Sequence, residues 1–314
     1  MAAAIEIEGL CKTYRRRGGT TNAVDDLTLR VPEGGMFGFL GPNGSGKTTT
    51  IRCLLGLIAP TEGTVRLLDR PVPAQLPAVM PSVGAIVESP SMFPTMTGIE
   101  NLRLLAAVDG ISERRVLDVL EQVGLAERSG DLVKRYSLGM RQRLGLGAAL
   151  LKDPALVILD EPANGLDPAG LKEVRHLLRS LSEEGRTVFI SSHLLSEVEQ
   201  TCDSVAILNH GRCVAQGTVS EVMARATGSA ALLVTVDDLG AARAALISAG
   251  LPTQRQNGSL RVDVPRSRAA EITETLAAQQ LWVTELRAEE QSLEDLFLEI
   301  TEDDHPTVEQ EVTP

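Results

Sequence analysis

Aromatic side chains make up only 3% of this 314-residue chain: one Trp, two Tyr and five Phe. A chain so poor in rings offers little as a stacking platform for single-stranded nucleic acid. Positive charge is also short, with 30 Lys and Arg against 42 Asp and Glu and a formal net charge of −12. A surface that tracks phosphates needs clustered Lys and Arg, so nucleic acid is not an expected partner. Cysteine is sparse and scattered. Cys11, Cys53, Cys202 and Cys213 contain no Cys-x-x-Cys pair, and they read as reduced thiols rather than as a disulfide framework or a zinc site. Apolar runs, such as residues 230–234, stop far short of the ~20 residues that a membrane-spanning helix requires. Glu6 and Glu8 interrupt the first apolar residues too early for a secretory leader.

What remains is the composition of a packed globular protein, 43% hydrophobic and 23% charged. The length favours one large domain plus a smaller one. Much of the acidity is local. Residues 302–314 carry Glu302, Asp303, Asp304, Glu309 and Glu311 with no Lys or Arg, so this stretch is expected to be a disordered acidic tail.

Strand-like and helix-like stretches alternate over the first two thirds. Residues 36–40, 156–159 and 187–191 are continuous apolar runs, the pattern of strands buried on both faces of a parallel sheet. Residues 48–57 have helical character. From 98 to 151 apolar positions recur at helical spacing (Leu102, Leu105, Ala106; then Val116, Leu117, Leu120, Val123), which predicts an α/β core with a helical insertion at about 90–152. A domain boundary is expected near 227–230. Beyond it the order strand 231–236, helix 239–249, strand 252–256, strand 260–264, helix 267–278, strand 281–286 is a β-α-β-β-α-β succession, the ferredoxin-like pattern, with Asn257-Gly258 as a hairpin turn. A last amphipathic helix is expected over 293–300. The domains so drawn are 1–227 and 228–301, followed by the tail.

The strongest local signal is Gly41-Pro42-Asn43-Gly44-Ser45-Gly46-Lys47-Thr48, followed by Thr49. It has the Walker A spacing, with a strand before it and a helix after it. Glycines allow backbone N–H groups to curl around phosphate oxygens, and the helix start adds a positive dipole end. Lys47 is placed to reach the β- and γ-phosphates and the Thr48 hydroxyl to coordinate Mg²⁺. A second signal is the apolar run that ends in Asp160-Glu161. It delivers two carboxylates to the C-terminal end of a strand, where ligands of open α/β sheets sit. Asp160 is the candidate for holding Mg²⁺, and Glu161 for polarising the attacking water.

A third segment, Tyr136-Ser137-Leu138-Gly139-Met140-Arg141-Gln142-Arg143, resembles the Leu-Ser-Gly-Gly-Gln signature of ATP-binding-cassette (ABC) ATPases, departing from it at Tyr136, Leu138 and Met140. Other landmarks of that family follow in order. Asn164-Gly165-Leu166-Asp167 resembles the loop that reaches across the dimer. His193, after a strand, stands where the family has its γ-phosphate-sensing histidine. Tyr14 matches the aromatic that stacks on adenine. Where the family usually has Gln, as a link between Mg²⁺, water and the membrane subunit, this chain has Glu88. In that respect, and in residues 292–301, it resembles the ATPases of bacitracin resistance, lantibiotic self-protection and drug export.

The resemblance implies a P-loop ABC cassette that hydrolyses ATP with Mg²⁺. It implies a pocket shared between two copies, or between one copy and a homologous subunit. Lys47, Glu161 and His193 would be catalytic. Tyr14, residues 41–49, Ser137, Gly139 and Asp167 would bind ATP, and Thr48, Asp160 and Glu88 would serve the metal. The partner would be a separate membrane permease, which would hold the ATPase at the cytoplasmic face of the membrane. Met92, Phe93 and Met96, apolar among Pro and Ser, are candidates for a groove that receives a permease helix. Two other readings fit the motifs less well, a non-transport ABC ATPase acting on nucleic acid or ribosomes and a small-molecule P-loop kinase.

Overall fold

The structure is a computed structural model that describes residues 2–16, 19–88, 92–226 and 231–288. The chain divides into two compact units, Met1–Val219 and Ser220–Pro314.

The first unit is built on a six-stranded sheet in the order Arg212–Thr218, Ser204–Asn209, Gly35–Leu40, Thr187–Ser192, Leu156–Asp160, Val83–Ile86. All neighbours are parallel except the first pair. The apolar runs form its centre: every residue of Leu156–Asp160 and of Thr187–Ser192 is buried, whereas the antiparallel edge strand Arg212–Thr218 has no buried residue. That contrast follows from helices covering both faces of the parallel strands. Three of the five phenylalanines sit here, Phe37 stacked on Phe189 at 5.8 Å and Phe39 tilted against it at 5.2 Å.

A second, antiparallel sheet, not anticipated from the sequence, has the order Gly19–Pro32, Ala3–Arg16, Glu62–Leu67, Arg70–Val72. Leu27, Leu29 and Val31 are buried, and the residues between them are exposed, the period-2 pattern of a one-sided sheet.

The expected helical stretch forms three α-helices, Gly98–Val108, Glu113–Gln122 and Leu138–Leu150. Each starts on a hydroxyl cap: Thr97, in a reciprocal capping box with Glu100, then Ser112 and Ser137. Among the described residues no helix is long and apolar enough to cross a membrane.

In the second unit, strands Leu232–Val236, Thr253–Gln256, Ser259–Val262 and Val283–Ala288 and helices Leu239–Ser248 and Ala269–Ala277 alternate as β-α-β-β-α-β. The sheet order, with all neighbours antiparallel, is Thr253–Gln256, Ser259–Val262, Leu232–Val236, Val283–Ala288. Asn257 (φ 45°) and Gly258 (φ 83°) make the hairpin turn; two consecutive left-handed residues match the twist of the flanking strands. Leu232, Val234, Leu260, Val262, Ile272 and Leu276 fill its core. The expected helix 293–300, the resemblance over 292–301, the tail 302–314 and the boundary stretch 227–230 lie outside the described residues.

Candidate functional site

The central strand Gly35–Leu40 runs into the glycine-rich loop, and helix Lys47–Leu54 leaves it. Gly44 and Gly46 are left-handed, with φ 86° and 104°. A Cβ on Gly46 would stand 2.4 Å from the Ala23 carbonyl oxygen, so this close approach of two backbones admits only glycine. The Lys47 side chain is only 6% exposed, and its Nζ donates to the carbonyls of Gly41 (2.7 Å) and Pro42 (3.2 Å). The Ser45 hydroxyl is buried in the loop with no hydrogen-bond partner among the described residues. A buried donor without a partner costs stability unless something accepts from it, and a phosphate oxygen is suited to do so.

Strands Leu156–Asp160 and Thr187–Ser192 pair in parallel with Asp160 opposite Ser191. The Ser191 hydroxyl serves both carboxylate residues: it donates to Asp160 Oδ1 at 2.5 Å and accepts from the Glu161 N–H at 3.0 Å. Glu161 holds φ at 50°, a left-handed conformation that a non-glycine keeps only where its surroundings impose it. That bend sets its carboxylate between two bases. Oε1 lies 3.3 Å from Lys47 Nζ and Oε2 lies 2.8 Å from His193 Nδ1. Lys47, Glu161 and His193 come from the C-terminal ends of three neighbouring parallel strands, the usual address of ligands in such sheets.

Lys47 and Glu161 face a cavity of about 500 Å³ whose lining also includes Tyr14, Asn43, Gly44, Gly46, Thr48 and Thr49. Lys12 Nζ lies 5.3 Å from the centre of the Tyr14 ring. Gly41, Pro42 and Ser45 form the loop behind this lining, and Asp160 lies 5% exposed beneath it. Among the described residues no three His, Cys, Asp or Glu cluster to hold a metal by themselves. Mg²⁺, however, is commonly bound through one or two oxygen side chains together with substrate phosphates, and the Thr48 hydroxyl and Asp160 carboxylate fit that donor set. Glu88 bends out at φ 63° just past strand Val83–Ile86 and is ion-paired with Arg52.

Ser137, Gly139 and Asp167 do not line this cavity. They gather on another surface. Ser137 and Asp167 are exposed, and each caps its own helix by accepting from Met140 N and Gly170 N respectively. The loop 164–167 packs on the segment that starts at Ser137: ideal Cβ atoms on Gly165 and Gly139 would lie 3.2 Å from Leu138 and 3.8 Å from Leu166.

The family model described as ABC transporter matches residues 24–164. The bacitracin transport ATP-binding protein BcrA of Enterococcus faecalis is 40% identical over 301 residues, which span 95% of this chain and 96% of BcrA. The chain belongs to the ABC transporter ATP-binding proteins. This ABC ATPase is also 39% identical over 303 residues to the uncharacterized ABC transporter ATP-binding protein YhcH of Bacillus subtilis, spanning 96% of this chain and 97% of YhcH. The cassette fold is shared with the dimeric, ADP- and Pi-bound cassette MJ0796, with a TM-score of 0.63 at 23% identity over 68% of this chain and 98% of that one. The protein is accordingly an ATP-binding ATP hydrolase with a transporter cassette fold.

Three residues of this ABC ATPase were missed in the sequence. Ser191 is visible only through strand register. Arg52 lines the cavity and has a local signal, since it falls one helical turn after Thr48. Asn101, 2% exposed, accepts from Phe93 N at 2.7 Å and donates to Phe93 O at 3.1 Å.

Tyr136, in contrast to Tyr14, is a packing residue. It is 3% exposed and its hydroxyl donates to the Arg128 carbonyl at 2.7 Å. Burial pushes its phenol above the usual tyrosine range, and Asp131 adds to the effect. Tyr136→Phe leaves that carbonyl without its donor and is expected to cost about 1–2 kcal/mol, read as a lowered thermal midpoint with unchanged ATP affinity.

Proposed function

We propose that two copies of this ATPase, or one copy and a homologous subunit, close on ATP held between the Lys47 loop of one and the Ser137 surface of the other. The observation that carries this reading is the separation within a single chain. Lys47, Thr48 and Glu161 face the cavity, while Ser137, Gly139 and Asp167 lie on a different surface, where Ser137 and Asp167 are exposed. Each triphosphate would then accept charge-assisted hydrogen bonds from both subunits, so binding closes the pair and hydrolysis releases it. MJ0796, which has the same fold, is a dimer bound to ADP and Pi.

In the closed pair Tyr14 stacks on adenine. Backbone N–H groups of residues 41–49 cradle the phosphates, and Lys47 exchanges Glu161 for the β- and γ-phosphates. Glu161, freed of Lys47, orients the attacking water and takes its proton. His193 steadies Glu161 through their 2.8 Å contact and stabilises charge on the transferred phosphoryl. Thr48 and Asp160 would hold Mg²⁺, with Glu88 at the rim; the ion supplies charge neutralisation on the phosphates when bound.

The ATPase would act at the cytoplasmic face of a membrane, attached through a separate permease, and drive export of an antibiotic, peptide or lipid-like molecule. The transport role of BcrA and the net charge of −12 favour this over action on nucleic acid. The docking surface would be the loop held by Asn101. That buried amide fixes the Phe93 backbone from both sides, yet the Phe93 ring is 54% exposed. Beside it a cavity of about 490 Å³ is lined by Met92, Leu105 and Val108 and by strand Val83–Ile86. A backbone held on both sides at Phe93, with an apolar side chain exposed there, suits the receipt of a helix. Phe93→Asp is expected to retain basal ATPase within about twofold and to abolish ATP-driven efflux in cells that co-express the permease. Undiminished efflux would remove this surface from the mechanism.

A further inference from the structure

Arg52 and Glu88 lie 36 residues apart in sequence, and no motif links them. In the structure their side chains form an ion pair, and the Arg52 member of it lines the nucleotide cavity. Arg52 follows Thr48 by one helical turn, so both occupy one face of helix Lys47–Leu54, and both line the cavity. Glu88 reaches Arg52 because the chain bends to φ 63° directly after strand Val83–Ile86. A left-handed non-glycine residue is unfavourable, and here its position puts a carboxylate within contact of a guanidinium.

The electrostatics of the rim give this pair a purpose. The cavity is read above as a triphosphate site, and an anionic ligand is repelled by any uncompensated carboxylate at its mouth. Glu88 is 64% exposed in its side chain and Arg52 is 37% exposed, so the pair contributes little to folding. Its effect falls on whatever charge enters the cavity. We propose that Arg52 is a positioning residue that compensates Glu88: it holds the carboxylate to the rim and cancels its charge, so that ATP with its Mg²⁺ meets a neutral rim. Arg52 then matters because residue 88 is an acid. With a neutral amide at 88, the compensation has nothing to cancel.

The inference rests on the nucleotide reading of the cavity, and a four-protein cycle with a control separates the two. Equilibrium binding of Mg·ATP and steady-state ATPase would be measured for the unaltered chain, Arg52→Gln, Glu88→Gln and the double variant, with Arg52→Lys as the conservative rescue and Lys47→Ala as the control. Arg52→Gln is expected to weaken ATP binding about tenfold, raising KM more than it lowers kcat. The double variant should bind ATP within about threefold of Glu88→Gln, well above Arg52→Gln, and Arg52→Lys should keep most of the affinity because the charge is kept. A double variant as weak as Arg52→Gln would overturn compensation, since Arg52 would then act on ATP without Glu88. No loss in Arg52→Gln would overturn it too. Retained ATP binding in Lys47→Ala would instead sink the nucleotide reading of the cavity. Equal thermal midpoints across the set would exclude misfolding as the cause, and a fall confined to Arg52→Gln that tracks its affinity loss would count against the proposal.

Discussion

Glu161→Gln is expected to slow ATP turnover by about 10²–10⁴-fold while ATP stays bound. The Glu161 carboxylate has two basic neighbours, Lys47 at 3.3 Å and His193 at 2.8 Å, and its backbone N–H is held by Ser191 at 3.0 Å. Glutamine is nearly isosteric, so these anchors keep the side chain in place. What it loses is the ability to take a proton from water. It also loses the charge that now competes with phosphate for Lys47, so ATP affinity should hold or rise. A nucleotide that binds but does not hydrolyse would accumulate the closed pair, visible as an ATP-dependent dimer in size-exclusion chromatography and as a slow single-turnover rate. A fall in turnover of less than tenfold would remove Glu161 from the water-activating role.

The second large effect is one of complementation. Lys47→Ala and Gly139→Asp should each be inactive alone, and a 1:1 mixture should recover about a quarter of the unaltered activity, because half of the dimers are mixed and each has one intact composite site. Gly139→Asp is chosen because the structure has room for it. Its Cβ would find Leu166 at 3.8 Å and Gly170 at 3.9 Å, ordinary contact distances, and it falls in the first turn of helix Leu138–Leu150, where an acid is tolerated. The variant should therefore fold normally and fail only by presenting a negative charge to phosphates held by another copy. If each pocket were complete within one chain, Gly139→Asp would retain activity and mixing would add nothing.

The nucleotide loop was legible in the sequence because its chemistry is local. Residues 41–49 are contiguous, their glycines answer a backbone requirement, and the strand and helix around them follow from apolar periodicity. Asp160 and Glu161 were legible for the same reason, at the end of an unbroken apolar strand. The four-stranded sheet that begins with Ala3–Arg16 was not. Its two long strands are broken by register shifts, so the period of two holds over short stretches such as 27–31 and slips elsewhere. Leu138 and Met140, which depart from the signature, and Tyr136 beside them needed the fold before their neighbours were known.

By itself the amino-acid order determined that a phosphate-binding loop exists, which residues compose it, that two acids follow a buried strand, and that a second small α+β unit comes after. The loop and the acids each depend on residues within one turn or one strand of each other, and the second unit was readable because each of its elements is marked by its own local pattern. Only the tertiary structure decided that Glu161 meets both Lys47 and His193, that Ser191 fixes both acids, that Asn101 holds the Phe93 loop and that Arg52 takes Glu88. Those contacts join residues from 8 to more than 100 positions apart. They depend on which strands lie side by side and in what register, and burial of the whole core sets that, not any short segment of the chain.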